Sequence, residues 1–157
     1  MKRLLGVLAL VCVSAGIALG QNFTVFKETS LSGAAEVITI QQPATGARTV
    51  RPGTAYLYCS AACAITIERN GAAATATALT VVDPNMTGAL PKFTAWSGSN
   101  VGAGTVVGRI RFSTGGGFMP LDLSNFLMIG NGTTINLTLR TDAVTGIVIF
   151  MISVTES

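Results

Sequence analysis

The chain has 157 residues, 49% of them hydrophobic and only 11% charged, with 18 glycines, no histidine and a formal net charge of +3. Without histidine the commonest general base near neutrality is missing, and Ser-His-Asp and Cys-His catalysis are excluded. Two of the ten Lys and Arg residues sit at positions 2 and 3; the rest leave eight cations against seven acids, a balance of +1. They are scattered rather than clustered, which excludes a phosphate-tracking nucleic-acid surface.

Residues 1–20, MKRLLGVLALVCVSAGIALG, begin with Lys2 and Arg3, continue in a short apolar run and end in the small-x-small pattern Ala18-Leu19-Gly20. That order of features is a secretory signal cleaved after Gly20. The run is broken by Ser14 and Gly16 and is shorter than the roughly 20 apolar residues of a bilayer span, so an uncleaved anchor is the lesser alternative. Cys12 follows Val11, not a small residue, and is not a lipid-attachment site. The expected product is an exported protein, extracellular, periplasmic or on the cell surface. Residues 21–157 are the size of one domain, with no later membrane-spanning helix.

From there the pattern is one β-run after another. Residues 35–41 (AEVITIQ), 55–59 (AYLYC), 63–69 (CAITIER), 105–113 (TVVGRIRFS), 134–141 (TINLTLRT) and 147–155 (IVIFMISVT) are rich in β-branched and aromatic residues. Weaker strand signals lie at 22–27, 73–82, 93–97 and 117–122. No stretch carries a sustained 3.6-residue rhythm. The expected fold is all-β: an antiparallel β-sandwich, jelly-roll-like or immunoglobulin-like, of about eight to ten short strands.

Cys59 and Cys63 are the only cysteines beyond the signal, and an oxidising compartment favours their pairing across the short loop CSAAC. Three intervening residues are one too many for the common redox motif, so the bridge is expected to pin a turn. Asn70-Gly71 predicts a type I′ hairpin after 63–69. Further turns are expected at Asp83-Pro84-Asn85, Gly115-Gly116-Gly117, Gly130-Asn131-Gly132 and Thr145-Gly146. Residues 85–104, rich in Gly and Ser around Trp96, read as a long surface loop.

Two strands carry face information. In 105–113, Val106, Ile110 and Phe112 share one face, opposite Arg109 and Arg111. In 147–155 both faces are apolar, with Val148, Phe150, Ile152 and Val154 on one and Ile147, Ile149 and Met151 on the other. Such a strand is central or is covered by a partner.

No cofactor or metal is expected, because zinc-ligand spacing and the dense acidic loop of a calcium hand are both missing. Gly102, Gly104 and Gly108 have the wrong spacing for a phosphate loop and precede a strand, not a helix. The seven acids are isolated in sequence and select no glycosidase pair. The Asn-x-Ser/Thr triplets at Asn22, Asn85, Asn131 and Asn136 carry no expectation in a Thr-rich chain. Binding candidates are Trp96 and the pair Tyr56 and Tyr58 on one strand face, because flat rings stack on sugars and supply apolar contact area.

Charge keeps solitary domains apart, and a surface that forgoes it suits contact with copies of itself. The leading expectation is therefore a secreted, non-catalytic structural or surface protein forming a closed homo-oligomer such as a trimer. A carbohydrate-binding or adhesion module centred on Trp96, taking a surface glycan, is the second. A virion-surface decoration domain is the third, by analogy of fold alone.

Overall fold

The β-branched runs fold into twelve strands in the computed structural model, which describes residues 20–43, 49–70, 77–98, 104–113, 117–126, 128–129 and 134–157. The expected signal at residues 1–20, Gly20 excepted, and the expected turn at Gly130-Asn131-Gly132 lie outside those residues. So do Gly71 and the first two glycines of the 115–117 turn.

In chain order the strands are β1 (Gln21–Ala34), β2 (Val37–Gln42), β3 (Thr49–Cys59), β4 (Cys63–Arg69), β5 (Thr77–Ala78) and β6 (Val81–Val82). Then follow β7 (Thr94–Gly98), β8 (Thr105–Phe112), β9 (Met119–Asp122), β10 (Met128–Ile129), β11 (Ile135–Thr141) and β12 (Val144–Glu156). Sheet A has the order β10-β3-β12-β1-β6, with β9 also paired to β3; sheet B has the order β5-β7-β2-β11-β4-β8. All pairings are antiparallel.

Strand order decides between the two expected topologies. In an immunoglobulin-like sandwich several consecutive strands lie side by side in one sheet. Here β1 and β2, β3 and β4, and β11 and β12 each cross from one sheet to the other. With β5 to β7 set aside, β1-β12-β3-β9/β10 faces β2-β11-β4-β8, the arrangement of a jelly roll. The β5–β7 insertion adds β6 beside β1 and β5-β7 beside β2, widening both sheets on the same side.

Alternation along each strand fills the space between the sheets. Phe23, Val25, Leu57, Val148, Phe150, Ile152 and Val154 of sheet A meet Ile38, Ile40, Ile65, Leu137 and Leu139 of sheet B, all fully buried. Phe93, just ahead of β7, closes one end with its ring edge-on to Phe23, centroids 5.7 Å apart. Burial of each such side chain is worth roughly 1.5–3 kcal/mol. At the same end the Lys92 N–H donates to the buried Glu156 carboxylate at 2.9 Å, tying the segment before β7 to the end of β12.

The disulfide joins Cys59, the last residue of β3, to Cys63, the first of β4, with Cα atoms 6.4 Å apart. It therefore clamps the step from one sheet to the other. Asn70 takes the expected left-handed backbone (φ 58°), but among the described strands none forms a hairpin with β4 across Asn70-Gly71. Both edges of β4 are already occupied, by β11 and β8, and the next strand, β5, pairs with β7 at the opposite side of sheet B. The Asp83 turn forms as expected: its carboxylate accepts N–H bonds from Asn85 and Thr87, and its carbonyl accepts from Met86.

Two further expectations are corrected. Trp96 does not sit in a loop running from 85 to 104; it lies within β7, paired with Thr39 of β2. Val106 does not share the face of Ile110 and Phe112. A register shift sets Gly108 opposite Ile67 but Val106 opposite Glu68, leaving Val106 on the outer face and 59% exposed. A bulge of this kind re-aims side chains along an otherwise regular strand.

Candidate functional site: the outer faces of the two sheets

The outer face of sheet A is built from the second side of its long strands. Antiparallel pairing lines up Phe26 of β1, Met151 of β12, Tyr56 of β3 and Pro120 of β9 in one row. The next row holds Glu28, Ile149 and Tyr58, and the one after it Ser30 and Ile147. Phe118, immediately before β9, leans on Tyr58 with ring centroids 5.4 Å apart. Phe26 is 48% exposed and Phe118 56%, and Tyr56, Met151 and Ile147 are exposed as well. The result is an aromatic and aliphatic band running across four strands, in which Glu28, at the β1 side, is the only charged residue of these rows.

The outer face of sheet B has a different chemistry. One row runs Trp96, Thr39, Thr138, Glu68, Val106 and its neighbour runs Val37, Arg140, Thr66, Arg109. Thr39, Thr138, Glu68 and Val37 are nonetheless buried. Glu68 is held by a salt bridge from Arg140 and by the N–H of Gly104, 3.1 Å from its Oε2. The hydroxyls of Thr39 and Thr138 meet at 3.3 Å. Desolvating a carboxylate is expensive unless it is paired and hydrogen-bonded in this way.

The aromatic residues singled out from sequence fall on opposite sides of the molecule. Tyr56 and Tyr58 do share one strand face, and it is the outer face of sheet A. Trp96 lies on sheet B, where its ring packs on the fully buried Val37 and its indole N–H donates to Thr94 Oγ1 at 3.0 Å. Trp96 also borders a depression of about 310 Å³ with Leu79, Pro91 and Phe93, beside the β5–β7 insertion. Phe118 and Pro120 carry no signal in the sequence, whereas Met151 and Phe26 do. The second apolar face of β12 was visible, and Phe26 alternates with the inward Phe23 and Val25.

Among the described residues no group of three or more Cys, Asp or Glu side chains converges as a metal site. Nor is any helix among them long and apolar enough to cross a membrane. The buried acids are separately engaged: Glu68 by Arg140 and Glu156 by Lys92 N–H, while the backbone of Glu36 exchanges bonds with Thr141. Burial raises the Glu36 carboxyl above its ordinary range, against the opposing pull of Lys27 and of hydrogen bonds from Thr29, Val37 and Gly98. Asp83 is held low, first by the Thr87 hydroxyl, and Asp122 low by Ser124. Compared with known proteins, the chain matches no family model, no curated protein and no solved structure.

Proposed function

We propose that this is an exported, non-catalytic surface or structural protein that associates with further copies of itself through the outer face of sheet A. The observation that carries the reading is the band from Phe26 through Met151 and Tyr56 to Pro120, backed by Ile149, Tyr58 and Phe118. A contiguous apolar patch on a sheet is costly to leave in water and marks an interaction surface. A second copy is the favoured occupant because the chain is 11% charged throughout. A partner recognised by charge would need countercharges within this band, and Glu28 is the only charged residue in its three rows. Two such faces stack as sheets do in a sandwich, side chains interleaving about 10 Å apart. Closed symmetry, as in a trimer, limits the assembly to a defined size.

Size-exclusion chromatography with light scattering, over a wide concentration range, tests this reading. The wild-type protein is expected to run as an oligomer. The double variant Phe26→Asp, Met151→Asp is expected to run as a monomer with its melting temperature preserved, since both side chains are exposed. A wild-type monomer at high concentration, or an unchanged mass for the variant, overturns the proposal.

The second reading, a glycan-binding or adhesion module around Trp96, is favoured by one observation: Trp96 borders the 310 Å³ depression next to Leu79 and Pro91. Against it, the indole N–H is already committed to Thr94 and the ring covers Val37.

A further inference from the structure

The edge of sheet B away from the insertion is formed by β8, which pairs only with β4 among the described strands. Arg109 and Arg111 lie two residues apart on its outer face, opposite Thr66 and Ala64. Both are exposed, and neither has an acid within ion-pair distance among the described residues. The short side chains of Ala62 and Ala64 leave a depression of about 240 Å³ beside them, walled by Phe112 and closed by Asp142.

Asp142 is fixed there by two bonds with one residue. Its Oδ1 accepts the Ala64 N–H at 2.8 Å, and its own N–H donates to the Ala64 carbonyl at 2.9 Å. The depression thus combines two free guanidinium forks, a short apolar floor and an anchored carboxylate.

We propose that this depression binds an acidic sugar, one carrying a carboxylate or a sulfate. Guanidinium groups take such oxyanions through paired, charge-assisted hydrogen bonds. An ionised carboxylate is acceptor-only, so Asp142 selects a ligand that also donates, as the neighbouring hydroxyls of a sugar do. It equally disfavours a bare anion or a run of phosphates, which present no donor. Outward arginines also protect an edge strand from pairing with other strands. Edge protection explains their charge, but not the hollow between them or the pinned acid. The site is on the sheet opposite the self-association face, so an oligomer displays several copies at once and gains avidity for a polymer.

Isothermal titration of the purified protein at low salt provides the test, with a tetragalacturonate and a sulfated heparin disaccharide as the two acidic probes. Neutral galactose oligomers, inorganic sulfate and an oligoglutamate peptide serve as comparisons. At least one acidic saccharide is expected to bind, and which one does separates carboxylate from sulfate as the recognised group. Arg109→Gln and Arg111→Gln are each expected to weaken it about tenfold. Asp142→Asn should weaken the saccharide while leaving inorganic sulfate unchanged or tighter.

Failure of both acidic saccharides to bind overturns the proposal. So does full-strength binding by an Arg109→Gln, Arg111→Gln double variant of unchanged melting temperature. Inorganic sulfate or oligoglutamate binding as tightly as the saccharides reduces the site to a general anion patch and equally overturns it. None of these results depends on oligomeric state, because monomeric Phe26→Asp, Met151→Asp protein retains the depression.

Discussion

Gly146 and Ser60 meet where the disulfide turn rests on the start of β12: a Cβ built on Gly146 would lie 2.5 Å from the Ser60 hydroxyl oxygen. Ser60 N–H donates to the Ile147 carbonyl at 2.9 Å, and Ile147 N–H returns a bond to Ser60 Oγ at 2.8 Å. The turn between Cys59 and Cys63 is thereby fastened to the neighbouring strand of sheet A. Gly146 also holds φ at 141°, a backbone that L side chains rarely adopt. Strain and overlap act together, so Gly146→Ala is expected to lower stability by roughly 2–3 kcal/mol in a denaturant titration. Gly33 is the internal control. Its φ is 87° with nothing near a Cβ, and Gly33→Ala should cost only about 1 kcal/mol. Equal losses for the two would show that Ser60 contact contributes nothing.

Trp96 is expected to behave as a covering residue. Truncation uncovers Val37, which is fully buried on the outward side of β2, and leaves the Thr94 hydroxyl without its indole donor. Trp96→Ala should therefore reduce stability by roughly 1.5–3 kcal/mol, less than a fully buried tryptophan because Trp96 is only partly buried. Thermal melting checks this. An unchanged melting temperature together with lost glycan binding would instead establish the adhesion reading.

The alternation in 147–155 and the β-branched runs on either side of Cys59 and Cys63 made the sandwich legible, because burial on one face leaves a period of two in the sequence. The disulfide was legible for a simpler reason, since Cys59 and Cys63 are the only cysteines after residue 20. Strand order was not, because it depends on which edges are already filled. Asn70-Gly71 has hairpin chemistry, yet β11 and β8 occupy both sides of β4 and send the chain elsewhere. Val106 was misplaced because a single bulged residue resets the alternation, and nothing local in VVG announces it. The apolar band on sheet A was half visible: β12 declared its second face, while Pro120, Phe118 and Tyr56 come together only through pairing of β3 with β9. The Arg109–Asp142 depression joins residues of β4 and β8 to the turns before β4 and after β11 and carries no motif at all.

The Glu68–Arg140 bridge predicts an asymmetry. Arg140 is 27% exposed in its side chain and Glu68 3%, so each loss leaves a different orphan. Arg140→Met strands an ionised carboxylate in the face of sheet B, with only Gly104 N–H beside it, at a cost of roughly 1–3 kcal/mol after allowing for Arg140's partial hydration. Glu68→Gln keeps an acceptor for Gly104 and leaves a cation that reaches water, and should cost less. Chemical denaturation of the two variants decides the order, and the reverse order would mean that Glu68 is not effectively desolvated.

Glu36 sets a pH dependence of definite sign. Burial raises its carboxyl above its ordinary value of 4.5, although Lys27, Thr29 and the N–H groups of Val37 and Gly98 all favour the charged form. The folded protein therefore holds this proton more tightly than the unfolded chain. Below 4.5 both states are protonated and Glu36 costs nothing; as pH climbs through the folded value, ionisation opposes folding and the penalty becomes complete. Asp83 and Asp122, held low, act with the opposite sign, contributing stability above 3.8 that is lost as pH falls. A wild-type pH profile mixes these effects, so the informative quantity is the difference from Glu36→Gln. That variant should gain on the wild type steadily as pH rises from about 4.5 toward neutrality, and then hold a constant margin. Equilibrium unfolding at a series of pH values measures the difference directly. A margin that shrinks with rising pH would mean that Lys27 and the hydrogen bonds outweigh burial, placing the Glu36 carboxylate among the groups that favour folding when charged.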